Sequence, residues 1–189
     1  MVSFSIFLFS NLAWSSVSKT TWDIDGTMNV RVSIQGLGSQ SEAIDFSDEI
    51  SFHTDGSLEL IDWKGTWKQI RNRFIVNLNP VNVEAYFEEF LAANGLDVTV
   101  EITKLSLTGT EQKNGTINGR IILNMDFHLN DLDLSGKLNV TATFTGTMTA
   151  EDLASSEGKA ASPLRLKSLN GIVQKKLSDA IKGVGASAR

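Results

Sequence analysis

The chain has 189 residues, enough for one domain and a tail, and at 41% apolar it can bury a core, which argues against a disordered chain. It has no cysteine, which excludes disulfides, zinc–thiolate sites and thiol catalysis. The net charge of −5 is uneven: residues 159–189 sum to +6 and residues 1–18 carry no charge, which leaves −11 on residues 19–158. A body this acidic repels phosphates, so nucleic acid is not an expected partner.

Met1 to Ser18 contains the apolar run Ile6-Phe7-Leu8-Phe9 followed by Leu12, Ala13 and Trp14. Ser16-Val17-Ser18 is a small-x-small site before Lys19, so residues 1–18 read as a signal peptide that lacks a basic start. The run is too short for a spanning helix, which needs about 20 residues. Residues 19–150 then read as a β-domain, and an exported chain without disulfides is held by its core alone.

Strands are expected from Thr20 to Ile34, where Met28, Val30, Val32 and Ile34 alternate after an Asp25-Gly26 turn. Ile50 and Phe52 lead into the hairpin signal His53-Thr54-Asp55-Gly56. Trp63, Trp67 and Ile70 belong to one further strand and Phe74, Val76 and Leu78 to the next, with Arg71-Asn72-Arg73 turning between them. Pro80 ends the sheet. From a cap at Asn82, the residues Val83, Tyr86, Phe87, Phe90 and Leu91 form one helical stripe over about 83–93, with Glu84, Glu88 and Glu89 on the wet face and Asn94-Gly95 as the C-cap.

Val98, Val100 and Ile102 share one phase and Leu105 and Leu107 the other, so a β-bulge is expected near Thr103-Lys104. The longest alternation follows. Ile121, Leu123, Met125, Phe127 and Leu129 face one way, Asn130-Asp131 breaks the run, and Leu138, Val140, Ala142 and Phe144 resume it. Residues 151–189 read as a linker and a basic tail. Leu166, Leu169, Val173, Leu177 and Ile181 form a weaker helical stripe there, and the end frays from Gly183. About eight to ten consecutive strands predict a mainly β fold. The expected form is an antiparallel up-and-down meander closed as a barrel, with one inserted helix and a helical tail; a β-sandwich is the alternative.

The stretch Phe52-His53-Thr54-Asp55-Gly56-Ser57-Leu58, then Gly65-Thr66-Trp67, then Phe74-Ile75-Val76 resembles a pattern of bacterial secreted lipocalin-like, calycin-type domains. It covers Phe52 to Leu78. Two features depart from lipocalins proper: Gly-x-Trp does not lie on the first strand, and a helix interrupts the meander. The resemblance implies a barrel with an apolar interior, hence a periplasmic or extracellular bacterial module that binds a small apolar or amphipathic ligand.

No catalytic constellation stands out. Asp23-Ile24-Asp25-Gly26-Thr27 matches the Asp-x-Asp-Gly-Thr signature of haloacid-dehalogenase-type phosphatases, but that chemistry needs a buried parallel strand, and no βαβ alternation follows. His53 and His128 fall on polar phases, and nothing in the sequence joins them to a serine and a carboxylate, so they read as surface residues. No metal site and no cofactor are expected. The pocket candidates are Trp22, Trp63, Trp67, Phe74, Tyr86, Phe87 and Phe90, which serve equally as core. The basic tail can lie on an anionic membrane or pack on its own acidic body, and self-packing is favoured. Two functions follow: a ligand-binding barrel, or a structural or protein-interaction module of the envelope with a filled core.

Overall fold

Eight antiparallel strands form a closed barrel in simple sequence order, β1 through β8. The structure, a computed structural model, describes residues 17–60, 63–149 and 169–187. The strands are β1 (Thr20–Ile34), β2 (Gly38–Phe52), β3 (Ser57–Leu60), β4 (Trp63–Ile70), β5 (Arg73–Leu78), β6 (Val98–Glu111), β7 (Thr116–Leu129) and β8 (Leu134–Met148). Helix α1 (Pro80–Ala93) is inserted before β6, and helix α2 (Leu169–Ser187) ends the described chain. The barrel is the architecture expected from the alternation, and the sandwich alternative is set aside. It is also consistent with a calycin-type fold.

Period-2 alternation sets the inside. Met28, Val30, Val32 and Ile34 of β1 face inward, as do Ile121 to Leu129 of β7 and Leu138 to Phe144 of β8 on their buried phases. The phase slip in β6 is a register shift between Ile102 and Lys104. Even-numbered residues face in before it, and odd-numbered ones after it. That slip carries Leu107 inward, and with it Glu111 at the end of the strand, only 2% exposed.

Three inward glycines of β6, β7 and β8 each lie directly opposite a phenylalanine on the neighbouring strand. Gly109 pairs with Phe74, Gly119 with Phe144, and Gly136 with Phe127. A methyl group on any of them would sit 2.1–2.2 Å from the facing ring. Each ring lies over its glycine, an aromatic cover for a position without a side chain.

Gly26 corrects one expectation. No turn occurs at Asp25-Gly26, and β1 runs straight through it. The glycine is needed for closeness instead, because a Cβ there would meet Thr143 O at 2.1 Å and the Phe46 ring at 2.9 Å.

The wall is uneven in height. β2 pairs with β3 only between Ile50–Phe52 and Leu58–Leu60, and β5 pairs with β6 only between Arg73–Val76 and Leu107–Thr110. Along the rest of those edges, Gly38–Glu49 of β2 and Val98–Ser106 of β6 have no strand partner among the described residues. The two helices take that side. α1 packs along β6, α2 packs on β1 and β2, and the helices touch each other. Val83, Phe87 and Leu91 of α1 and Val173, Leu177 and Ile181 of α2 join the barrel core.

Asn79, not Asn82, caps α1: its side chain accepts from the Val81 N–H at 3.1 Å, and Pro80 occupies the first turn. A proline there loses no helical hydrogen bond, so the residue that ends β5 also starts the helix. Gly95, at φ 75°, follows the cap residue Asn94 as expected. The wet-face assignment needs correcting for two glutamates. Glu84 accepts from the Ile102 N–H at 2.7 Å and Glu88 from the Val100 N–H at 2.9 Å. They bond the β6 edge where a neighbouring strand would otherwise stand.

The second helix extends past the expected fraying point at Gly183 to Ser187. Gly183 and Gly185 each lower helix propensity by about 1 kcal/mol, but a glycine does not end a helix without a left-handed turn. Residues 1–16, most of the segment expected to be a signal peptide, and the expected linker through residue 168 lie outside the described residues.

Candidate binding surface

The seven aromatic candidates divide by depth. Trp22, Trp63, Phe74 and Phe87 are 2% exposed or less, while Trp67 and Phe90 are partly buried against the same core and Tyr86 is half-buried. Phe52 joins part of the set: its ring meets Trp67 at 5.2 Å and Phe74 at 5.1 Å, both edge to face. Trp63 packs on Phe87 of α1 with centroids 6.3 Å apart. These are core-packing contacts, and such aromatic pairs add about 0.5–1.5 kcal/mol beyond burial. The candidates fall into two groups, Trp67–Phe74 around Phe52 and Trp63–Phe87 beneath α1.

A recess of about 520 Å³ crosses β6, β7, β8 and β1, and none of the seven lines it. Each strand contributes two outward residues around one inward position: Thr99 and Glu101 about Val100, Asp126 and His128 about Phe127, Ser135 and Lys137 about Gly136, Ser33 and Gln35 about Ile34. Those four central positions lie in register with one another. The recess is therefore a groove on the outside of the barrel, running across the strands.

Its polar groups are partly paired. Lys137 Nζ donates to both Asp126 carboxylate oxygens, at 3.0 and 3.2 Å. His128 Nδ1 lies 3.1 Å from Ser135 Oγ, and His128 Nε2 lies 3.6 Å from Asp133 Oδ1. Folding thus joins a histidine to a serine and a carboxylate that the sequence left separate. The trio has the connectivity of a hydrolase triad but not its physics. Asp133 is 98% exposed in the turn before β8, whereas the triad carboxylate is buried and bonded to fix the imidazole. His53 is exposed at the β2–β3 hairpin, far along the chain from this trio. Asp23 and Asp25 point outward from β1, which is antiparallel to both neighbours, so the phosphatase geometry is not present.

Two other recesses lie elsewhere on the described surface. One, of about 710 Å³, surrounds the β6–β7 hairpin and is lined by amides and hydroxyls such as Asn72, Asn114, Asn118 and Thr145, with Lys113. The other, of about 210 Å³, separates α2 from the β1–β2 hairpin, where Lys176 of α2 pairs with Glu42. Lys175 and Asp179 pair one helical turn apart at 2.9 Å, which raises the lysine and lowers the aspartate pKa. At the other end of β2, hydrogen bonds from the Ser57 hydroxyl and N–H hold the Asp55 carboxyl below its ordinary value.

Among the described residues no group of three or more His, Asp or Glu side chains is placed to hold a metal ion, and no helix is long and apolar enough to cross a membrane. No protein-family model matches the chain, and no curated protein matches it. Among solved structures it is similar to the YwiB protein from Bacillus subtilis, at 14% identity over 66% of this chain and 92% of that one, with a TM-score of 0.27. Likeness of that degree carries no inference about what the chain does, which leaves its own surfaces to argue from.

Proposed function

We propose that this chain is an exported, non-catalytic interaction module. In this reading it works through the outside of a filled calycin-type barrel, and the groove over β6, β7, β8 and β1 is its binding surface. The observation that carries the reading is the interior. Trp22, Phe52, Phe74, Phe87, Leu107 and Ile117 are fully buried in one continuous core, while the outer groove combines open volume with a row of hydrogen-bonding groups. The partner suited to it is an extended, basic protein segment. Among the described residues Glu101 has no neutralising partner comparable to the Asp126–Lys137 pair, and Asp97, Asp131 and Asp133 flank the same end of the barrel.

One observation favours the lipocalin-like alternative, a small amphipathic ligand held within. Among the described residues, Trp63 Nε1 and Gln174 Nε2 are buried donors without an acceptor, one packed on α1 and the other carried by α2. A ligand carboxylate or carbonyl under the helices would supply one.

Native and denaturing mass spectrometry of protein recovered from its own host's envelope separates the two. A clean mass, together with a co-purifying protein lost in a Ser135→Arg variant that fills the groove, is the expected outcome. A released adduct of a few hundred daltons, unaffected by Ser135→Arg, assigns the interior instead.

A further inference from the structure

The N-terminal end of the described chain bears on where the protein is processed. Val17 is fully buried and belongs to the barrel core, although it precedes β1. Its N–H donates to Gln69 Oε1 at 3.1 Å, and Gln69 Nε2 in turn reaches the buried Glu111 carboxylate at 3.4 Å. The Val17 carbonyl accepts from the Thr20 hydroxyl, which accepts from the Trp22 indole N–H at 2.7 Å. Lys19, at φ 60°, turns the chain from this plug into β1. Val17 is thus tied to β1, β4 and the end of β6 around one end of the barrel.

A signal peptidase needs small side chains one and three residues before the cut. Two registers between Leu12 and Lys19 satisfy it: Ser16-Val17-Ser18, and Ala13-Trp14-Ser15. A cut after Ser18 discards the buried valine, the donor to Gln69 and the acceptor for Thr20. A cut after Ser15 keeps all three. It also leaves residue 16 in place, which makes the Val17 nitrogen a peptide N–H rather than a charged terminal amine. Ser16 is the latest start that does so.

We infer that processing cuts between Ser15 and Ser16, so that the mature protein begins Ser16-Val17; the inference rests on the export reading above. N-terminal sequencing and intact mass of protein from its own host's envelope test it directly, with a start at Ser16 expected. A start at Lys19, or at any other residue, overturns the assigned cut while leaving export standing. Uncut chain found in the cytoplasm overturns export and the cut together. The physical premise has its own test. Of two recombinant chains starting at Ser16 and at Lys19, the shorter is expected to unfold roughly 4–10 °C lower. Equal midpoints would remove the reason for preferring Ser15.

Discussion

Glu111 is a carboxylate placed inward by a register shift one half-strand away. Burial raises its pKa above the ordinary carboxyl value, and the contact with Gln69 offsets part of that rise. The folded state therefore holds this proton more tightly than the unfolded chain does. Its contribution to stability is full below the unfolded pKa and is lost as pH rises through the folded one. Glu111→Gln is expected to raise the urea midpoint at neutral pH and to flatten its decline from about pH 4 upward. A variant less stable than the parent at neutral pH would mean that the charged form is the favoured one here. At Gly109 the expectation has the opposite sign. An alanine methyl would press on Phe74 at 2.1 Å and on the Asn118 carbonyl at 2.7 Å, so Gly109→Ala should cost about 1–3 kcal/mol in urea unfolding. Neither residue announces this in sequence. Glycine spacing reads as turns, and Gly26, Gly109, Gly119 and Gly136 become seats for rings or backbone only once the neighbouring strand is in place.

Elements were more legible than residues. β7 and β8 were plain because each is half-buried along its whole length, which converts directly into alternation. The bulge was readable for the same reason, as a change of phase within β6. The role of α1 was only half readable. Its apolar stripe is local, but the groups met by Glu84 and Glu88 lie on a strand edge that is exposed only because β5 is short. A Glu84→Ala, Glu88→Ala double variant should lose about 1–3 kcal/mol for each backbone donor left buried without an acceptor. Hydrogen exchange at the Val100 and Ile102 amides should quicken by more than at β7 amides paired to β8. Equal protection at the two amides would mean that water or another group replaces the carboxylates. The outer groove was not legible at all. It needs four strands in register, and no window of one strand contains that information.

On the scale of the whole molecule, the wall is part sheet and part helix. α2 is joined to the core by Val173, Leu177 and Ile181 and to the β1–β2 hairpin by Lys176 with Glu42. Ending the chain at Thr149 should keep the strand signal in circular dichroism, because all eight strands precede that point. It should also raise the fluorescence of an added naphthalene sulfonate dye, as the apolar faces under α2 become wet. Collapse of the strand signal would show instead that the helix is part of the minimal fold.

Closure joins the first strand to the last, Ile34 to Gly136 and Trp22 to Met148. One edge of β1 therefore waits until almost the whole β-body has been made before it finds its partner. Contacts between such distant parts of a chain form slowly, on a scale of roughly milliseconds to seconds. During synthesis or passage across a membrane, β1 can pair with β2 but offers its other edge to any strand nearby. A chain delivered whole and unfolded meets that hazard once, at the far side, when β8 is already present to end it.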